Sequence, residues 1–364
     1  MSASHDFLQP LPPSVELETV EVMRALASAN RALAELKGRA GSIPNAGILI
    51  DTLAMQEAKA SSEIENIVTT QDELFQMDLM PDGQQSVAAK EVARYRAALK
   101  IGYQQLTGSG GLICNRTLIE MYQFLKERGD GFRSTPGTAL KNARTGEVVY
   151  TPPQDHNVII TAMSSLEKFI NDDELCGLDP LIKMALIHHQ FESIHPFADG
   201  NGRIGRILNV LYLTKAGLLD IPILYLSRHI NLHKAEYYRL LQSVREEGKW
   251  EPWVLYMLEA VEKTSRTTLQ LVEGIKCIMA DFKRRMRNDC PRLYSQDLLN
   301  NLFRHPYTRI EFVKDEVNVS RQTASKYLEQ LVEKDFLVKH KSGRNNYYIN
   351  KPLIDLFLQV HEVP

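Results

Sequence analysis

Within twelve residues, 195 to 206, the chain reads His-Pro-Phe-Ala-Asp-Gly-Asn-Gly-Arg-Ile-Gly-Arg. These residue types at these spacings can do phosphate chemistry. Gly200 and Gly202 flank Asn201, so the backbone can take left-handed angles and a ligand can come close to main-chain N–H groups. A helix expected to start near Arg203 would aim its unpaired N–H groups and positive dipole end at the same space. That combination favours an anion such as phosphate. Arg203 and Arg206 lie three apart, on one face of the first helical turn, and can fork onto phosphate oxygens. Asp199 is a hard carboxylate beside this anion site and suits Mg²⁺, which shares its oxygen ligands with substrate phosphates. His195, stiffened by Pro196, can take a proton from an attacking hydroxyl. Singly, each piece is an ordinary feature: a capping histidine, a turn, a solvated arginine face. Their compression into twelve residues makes the stretch a candidate site.

The ordered pattern H-P-F-x-D-G-N-G-R-x-x-R resembles the signature of Fic-family proteins without a departure, and His188 to Ile194 resembles the family's lead-in helix. The resemblance implies an ATP-dependent protein adenylyltransferase, which moves AMP from ATP to a Ser, Thr or Tyr hydroxyl of a target protein or of itself. It implies His195 as general base and Asp199 as the holder of Mg²⁺ between the α- and β-phosphates. It implies nucleotide contacts along Gly200, Asn201, Gly202, Arg203, Ile204, Gly205 and Arg206, with Arg203 on the β-phosphate and Arg206 on the γ-phosphate. Phe197 reads as a packing anchor. The related Doc kinases carry a changed loop in place of Gly-Asn-Gly, so the intact loop favours nucleotidyl transfer. Asn142 to Pro153 resembles the family's flap, which pairs its edge with a target segment by strand addition. Tyr237 and Tyr238 resemble a tyrosine pair that borders the nucleotide base in some relatives.

A second motif lies upstream. Residues 61 to 66, Ser-Ser-Glu-Ile-Glu-Asn, resemble the inhibitory motif [ST]-x-x-x-E-[GN] of Fic proteins, with Ser61, Glu65 and Asn66 at its fixed positions. Ser61 and Glu65 are four apart and share one side of a helix. The resemblance implies that Glu65 reaches Arg206 and takes the place of the γ-phosphate.

Helical periodicity marks the elements that must position these residues. It covers 15–37, 48–66, 84–107, 181–191, 205–216, 233–247 and 253–283. Thr70 and Glu73 form an expected capping box. Thr145-Gly146, with Val148, Val149 and Tyr150 after it, predicts a small hairpin in this largely helical chain. Beyond Asp289 the pattern changes to three short helices: one over 295–303, one opened by Thr308 with Glu311 as its capping partner, and one opened by Ser320. Two apolar runs, 336–338 and 347–349, then bracket Lys341 to Asn346. That is the pattern of a winged helix-turn-helix. Its third helix turns Arg321, Gln322, Ser325, Lys326 and Glu329 outward, with Lys341 and Arg344 in the wing. Arg, Gln and Lys can contact phosphates or base edges, while winged helices also dock proteins, and both uses stay open.

The expected fold is therefore mainly α: an N-terminal helical region with the inhibitory helix over 1–110, a Fic helical core with a β-hairpin flap over 111–285, and a winged helix-turn-helix over 286–364. The chain has 364 residues, 44 % hydrophobic and 24 % charged, with a formal net charge of −2. Residues 281–351 hold 15 Lys or Arg against 9 Asp or Glu, a local basic excess. Cys114, Cys176, Cys277 and Cys290 form no C-x-x-C pair, which fits free thiols in a reducing compartment. The N-terminus lacks the charge and apolar pattern of a secretory signal, and a cytoplasmic location with no membrane partner is expected. Expected partners are ATP, a target protein on the flap, DNA through the winged helix, and a second copy of the chain. Two other functions stay open: a DNA-binding transcriptional regulator whose Fic core senses nucleotide, and an enzyme that removes AMP from a modified protein, with Glu65 positioning water.

Overall fold

The computed structural model describes residues 8–70, 73, 86–141, 145–342 and 345–362. It is mostly helical, with two small antiparallel sheets. The chain divides into two compact units. One comprises Met1–Ala34, Glu57–Val68 and Glu91–Ser265, the other Glu35–Gln56, Thr69–Lys90 and Arg266–Pro364.

In chain order the helices before the first sheet are α1 (Val20–Ala40), α2 (Ala46–Ile64), α3 (Val87–Gly108) and α4 (Asn115–Lys126). Strands β1 (Leu140–Lys141) and β2 (Val148–Tyr150) pair antiparallel, with a register shift beside Leu140. This is the expected hairpin. Its first strand starts two residues before Asn142, and residues 142–144 lie outside the described residues. There follow α5 (His156–Asn171), α6 (Pro180–Ile194), α7 (Asn201–Lys215), α8 (Ser227–Leu232), α9 (Lys234–Glu247) and the long α10 (Trp250–Asp289).

Helix α6 is buried along its whole length. Its first two turns, Pro-Leu-Ile-Lys-Met-Ala-Leu-Ile, are mostly apolar, and its last two bury His188, His189, Gln190, Glu192 and Ser193 as well. Asp179 caps it, accepting from the Leu181 N–H at 2.8 Å, and Pro180 stands at the first turn, where a missing N–H costs nothing. Helix α7 lies beside it. Gly205 lets the two approach: a Cβ there would sit 2.6 Å from Glu192 Oε1 and 3.1 Å from the Phe191 ring. The site is thus mounted on two deeply buried helices.

In the second unit α11 (Gln296–Arg304), β3 (Tyr307–Thr308), α12 (Ile310–Val317), α13 (Arg321–Glu333), β4 (Val338–Ser342), β5 (Asn345–Ile349) and α14 (Lys351–Glu362) follow the end of α10. The sheet has three strands in the order β3-β5-β4, one more than the expected hairpin. Ser320 caps α13 as expected, and Ser295, expected as the first residue of its helix, caps α11. Thr308 does not open α12. It is a strand residue whose hydroxyl donates to Asn301 Oδ1 at 3.1 Å, and Arg309 precedes the helix without a side-chain cap. The pairing of Tyr307 and Thr308 with Ile349 and Tyr348 takes the residue that local pattern assigned to a cap. Phe282, Phe303 and Phe336 meet edge to face at 5.3 Å in this unit's core. The Thr70–Glu73 capping box does form, with reciprocal bonds of 2.9 and 3.1 Å. Among the described residues no helix is long and apolar enough to cross a membrane.

Candidate active site

The site is the seam where α6 ends and α7 begins. His195 follows the last residue of α6 in the left-handed region, φ 50° and ψ 59°, with its N–H donating to the Phe191 carbonyl at 2.9 Å. Phe197 then drops into the core, stacked on Tyr122 at 4.2 Å between ring centroids. The Asn201 side chain closes the loop from inside: its Oδ1 accepts from the Phe197 N–H and its Nδ2 donates to the Phe197 carbonyl, both at 2.8 Å. Asn201 therefore shapes the loop with its side chain and can offer a ligand only its backbone. Gly200 supplies the turn, at φ 77°. Helix α7 begins at Asn201, two residues earlier than the pattern suggested, so Gly202 lies inside the first turn.

A cavity of about 920 Å³ opens over this seam, lined by His195, Asp199, Gly200, Asn201, Gly202 and Arg206 on one side and Glu65, Glu192, Tyr237 and Tyr238 on others. Gly202 lies at its floor, where a Cβ would sit 2.6 Å from Glu65 Oε1 and 2.9 Å from Arg206 Nη1 and would have to displace those side-chain ends.

The two arginines do not share a face. Arg206 points into the cavity, four residues on from Gly202. Arg203 lies 2 % exposed, turned away and paired with Glu91 of α3. Ile204 is fully buried, and Gly205 faces α6. These three are not cavity residues in this conformation, because a helix carries only every third or fourth residue to one side. Tyr237 is likewise more core than rim. It is 1 % exposed, its hydroxyl pairs with His188 Nε2 at 2.8 Å, and its ring lies 5.7 Å from Trp253. Tyr238 is 47 % exposed at the cavity wall.

Arg206 is held by the end of α2. Its Nε donates to Ser61 Oγ at 2.8 Å, and its Nη2 donates to the Ser61 carbonyl and to Glu65 Oε1, both at 3.0 Å. Burial works against this guanidinium's charge, but Glu65, together with Tyr237, Tyr95 and Glu192, outweighs it and holds Arg206 firmly protonated. Asn66 sits at φ 61°, which explains an Asn or Gly at this place: a left-handed residue ends the helix and aims Glu65 back at Arg206. Lys234 secures the turn by donating to the Ile64 carbonyl. One turn earlier the buried Glu57 accepts from Tyr95 Oη at 2.8 Å and from the Ser227 hydroxyl, which ties α2 to α3 and α8.

Desolvation, followed by the charges of Arg133 and Arg245, drives the His195 pKa down to about 4, so the imidazole is neutral and ready to accept a proton. Asp199 pairs with Lys126 Nζ at 2.7 Å. Partial burial opposes its ionisation, but Lys126, the Gly200 N–H and Arg203 prevail and keep the carboxyl below its usual range.

Glu192 is the unpaired acid of the site. It is 7 % exposed, its Oε1 has no hydrogen-bond partner among the described residues, and burial raises its pKa from 4.5 to about 7. The folded protein thus holds a proton that the unfolded chain releases. The stability this confers is complete below about pH 4.5 and is lost as pH rises through about 7. Glu192→Gln is expected to be more stable than the parent above pH 7, by on the order of 2 kcal/mol, and equal to it near pH 4.5. Chemical denaturation across this range checks the prediction; a difference independent of pH would contradict it. Glu57 titrates in the same direction but cancels, being present in both proteins.

Sequence reasoning missed Arg133, Arg245, Glu91, Lys126 and Glu192. Glu192 lies three residues before His195 in a helix already singled out, and helical spacing alone could have flagged it. The others come from distant segments with no local pattern.

The chain matches family models over three consecutive stretches: "Fic/DOC family N-terminal" over residues 23–104, "Fic/DOC family" over 112–213, and "Protein adenylyltransferase SoFic-like, C-terminal domain" over 278–353. The chain belongs to the Fic/DOC family. It is 26 % identical over 191 residues to a protein adenylyltransferase Fic of Culex quinquefasciatus, a match covering 52 % of this chain and 36 % of that protein. It is 32 % identical over 115 residues to a protein adenylyltransferase Fic of Drosophila virilis, covering 32 % and 22 %. The matches span about a third or less of these curated relatives. Among solved structures, a Fic family protein from Desulfovibrio desulfuricans aligns with a TM-score of 0.58 at 19 % identity, over 93 % of this chain and 98 % of that one. A Fic-1 fragment from C. elegans aligns with a TM-score of 0.54 at 20 % identity, over 70 % and 74 %.

Proposed function

We propose that this chain transfers AMP from ATP to a protein hydroxyl, with His195 as general base, and that Glu65 holds it in a resting state. The observation that carries the reading is the cavity itself. A neutral imidazole, a left-handed glycine turn, a helix N-terminus and a buried arginine face one space large enough for a nucleotide. The family relationship and the relatives named protein adenylyltransferase support it.

In this reading the target oxygen attacks the α-phosphorus and its proton passes to His195. The bond from that phosphorus to the bridging oxygen breaks, and pyrophosphate leaves. The backbone N–H groups from Gly200 onward, at the start of α7, face the charge that builds on the phosphate oxygens. Asp199 is suited to hold Mg²⁺: it is an ionised carboxylate, 64 % exposed at the cavity, whose present cation is the Lys126 ammonium. A bound Mg²⁺ would add charge neutralisation on the phosphates. Mg²⁺ bound with substrate phosphates takes most of its ligands from phosphate oxygens and water. Arg206 would take the γ-phosphate once Glu65 withdraws. The assay is mass spectrometry of proteins incubated with ATP and Mg²⁺. Addition of an adenylyl group supports the reading, and addition of phosphate alone sinks it.

We read helices α11 to α13 with the three-stranded sheet after residue 290 as a winged helix that binds DNA. Arg321, Gln322 and Lys326 are exposed on α13, and Lys339, His340 and Lys341 on β4. Two of these cations already have partners: Arg321 pairs with Glu311 at 2.8 Å and Lys339 with Glu329 at 2.5 Å. Arg321→Ala with Lys326→Ala is expected to lower affinity for duplex DNA and flatten its salt dependence by about two units of slope. AMP transfer should not change. Absence of DNA binding at low salt would instead leave a protein-docking module.

A further inference from the structure

His195 holds a backbone conformation that a residue with a Cβ keeps only when its surroundings over-determine it. The surroundings here are largely one side chain, Arg133, from the segment between α4 and β1. Its Nε donates to the His195 carbonyl at 2.8 Å, and its Nη2 donates to the Pro153 carbonyl and, at 3.5 Å, to the Ile194 carbonyl. The main chain of Arg133 joins in. Its N–H donates to the Pro196 carbonyl at 2.8 Å, and its carbonyl accepts from His156 Nδ1 at 2.9 Å. The side chain is 6 % exposed, and desolvation lowers its pKa. Burying a full charge to serve backbone carbonyls is costly, so the arrangement is informative.

Pro153 ends the run that leaves flap strand β2. The flap is also fastened at Tyr150, whose hydroxyl donates to the Ser193 carbonyl at 2.9 Å while its ring lies 3.9 Å from the Arg245 guanidinium carbon. Arg133 joins the same flap to the carbonyl of His195 itself. We propose that Arg133 is a positioning residue that fixes His195 and the exit of the flap in one frame, so that a hydroxyl presented by a protein on the flap meets the imidazole in attack geometry. The inference rests on the transferase reading above.

The bonds named above leave the anion loop from Gly200 to Arg206 untouched, so nucleotide binding should be independent of Arg133. Its charge also acts on His195 directly. Arg133 and Arg245 oppose protonation of the imidazole, against the Glu65 carboxylate and the Glu192 carbonyl.

The experiment compares Arg133→Lys and Arg133→Met in a Glu65→Gly background. Lysine keeps the charge but cannot fork across separate carbonyls; methionine keeps most of the packing and loses every donor. The first-order rate of AMP incorporation at saturating ATP and Mg²⁺ is expected to fall at least about tenfold in both variants. The Kd for α,β-methylene-ATP, which cannot transfer AMP, should change by less than about twofold by calorimetry. A folded variant with an unchanged rate would overturn the proposal, as would a loss of nucleotide affinity that matches the loss of rate. Full activity in Arg133→Lys with loss in Arg133→Met would assign the effect to charge and also overturn it. If Arg133→Met does not fold, Arg133→Lys decides. His195→Ala in the same background separates the two levels: if it transfers at full rate, the general-base reading fails whatever the Arg133 variants do.

Discussion

His195→Ala is expected to abolish detectable AMP transfer while nucleotide binding persists. A well-placed general base contributes on the order of 10² to 10⁴ in rate, and here the base is prepared in two ways. Its imidazole is kept neutral by desolvation and by the charges of Arg133 and Arg245, and its backbone is held at the end of a fully buried helix. Alanine removes the proton acceptor and leaves the loop from Gly200 to Arg206, which would carry the phosphates. Calorimetry with α,β-methylene-ATP should therefore report nearly the parent affinity. Transfer by the variant at the parent rate would require a different base. The pH profile offers a second check: with the His195 pKa near 4, activity should not fall through the range where an ordinary histidine protonates, near pH 6.5.

The second large effect is expected from Glu65→Gly. The Glu65 carboxylate lies 3.0 Å from Arg206 Nη2, on a guanidinium 2 % exposed. Charge-assisted contacts of this kind are strong when partly enclosed. While it persists, it withholds the donor that would steady the γ-phosphate, and its charge repels that phosphate. ATP then binds with its α-phosphorus poorly aligned, and misalignment can cost orders of magnitude. Removing the carboxylate should raise AMP transfer at least about tenfold, equivalent to roughly 1.4 kcal/mol. Arg206 should stay oriented in the variant, because its bonds to the Ser61 hydroxyl and carbonyl do not involve Glu65. Glu65→Gln should activate partially, since it keeps the shape and loses the charge. Arg206→Ala should not activate, since it removes the inhibitory partner and the phosphate ligand together. If Glu65→Gly instead loses an AMP-removing activity, Glu65 positions water for the reverse task.

The parts of this site that could be read from sequence are those whose partners lie within one or two helical turns. The seam from His195 to Arg206 is such a stretch, and so is the turn from Ser61 to Asn66. Spacing could not pair Glu65 with Arg206, which lie 141 residues apart; the resemblance of Ser61 to Asn66 to the Fic inhibitory motif did. The expectation that Arg203 and Arg206 share a face came from spacing alone. The partner of Arg203, Glu91, is 112 residues away and unmarked by any motif. Arg133 escaped for the same reason: its targets are backbone carbonyls, and a carbonyl leaves no trace in residue type. Helices α4, α5, α8 and α14 were passed over, and β3 is two residues long, too short for alternation to show. At Thr308 a local capping pattern lost to strand pairing with Tyr348, a competition that only tertiary structure resolves.

The central claim is that this cavity moves AMP under restraint by Glu65. It is tested most directly by incubating the parent protein, Glu65→Gly, and Glu65→Gly with His195→Ala in a cell lysate with Mg²⁺ and ATP labelled at the α-phosphate. Label on protein is then counted, and its mass identified. The account predicts weak labelling by the parent, at least about tenfold more by Glu65→Gly, none by the double variant, and an adenylyl group as the added mass. Equal labelling by all three proteins, or label absent from the Glu65→Gly reaction while that protein remains folded, would contradict it.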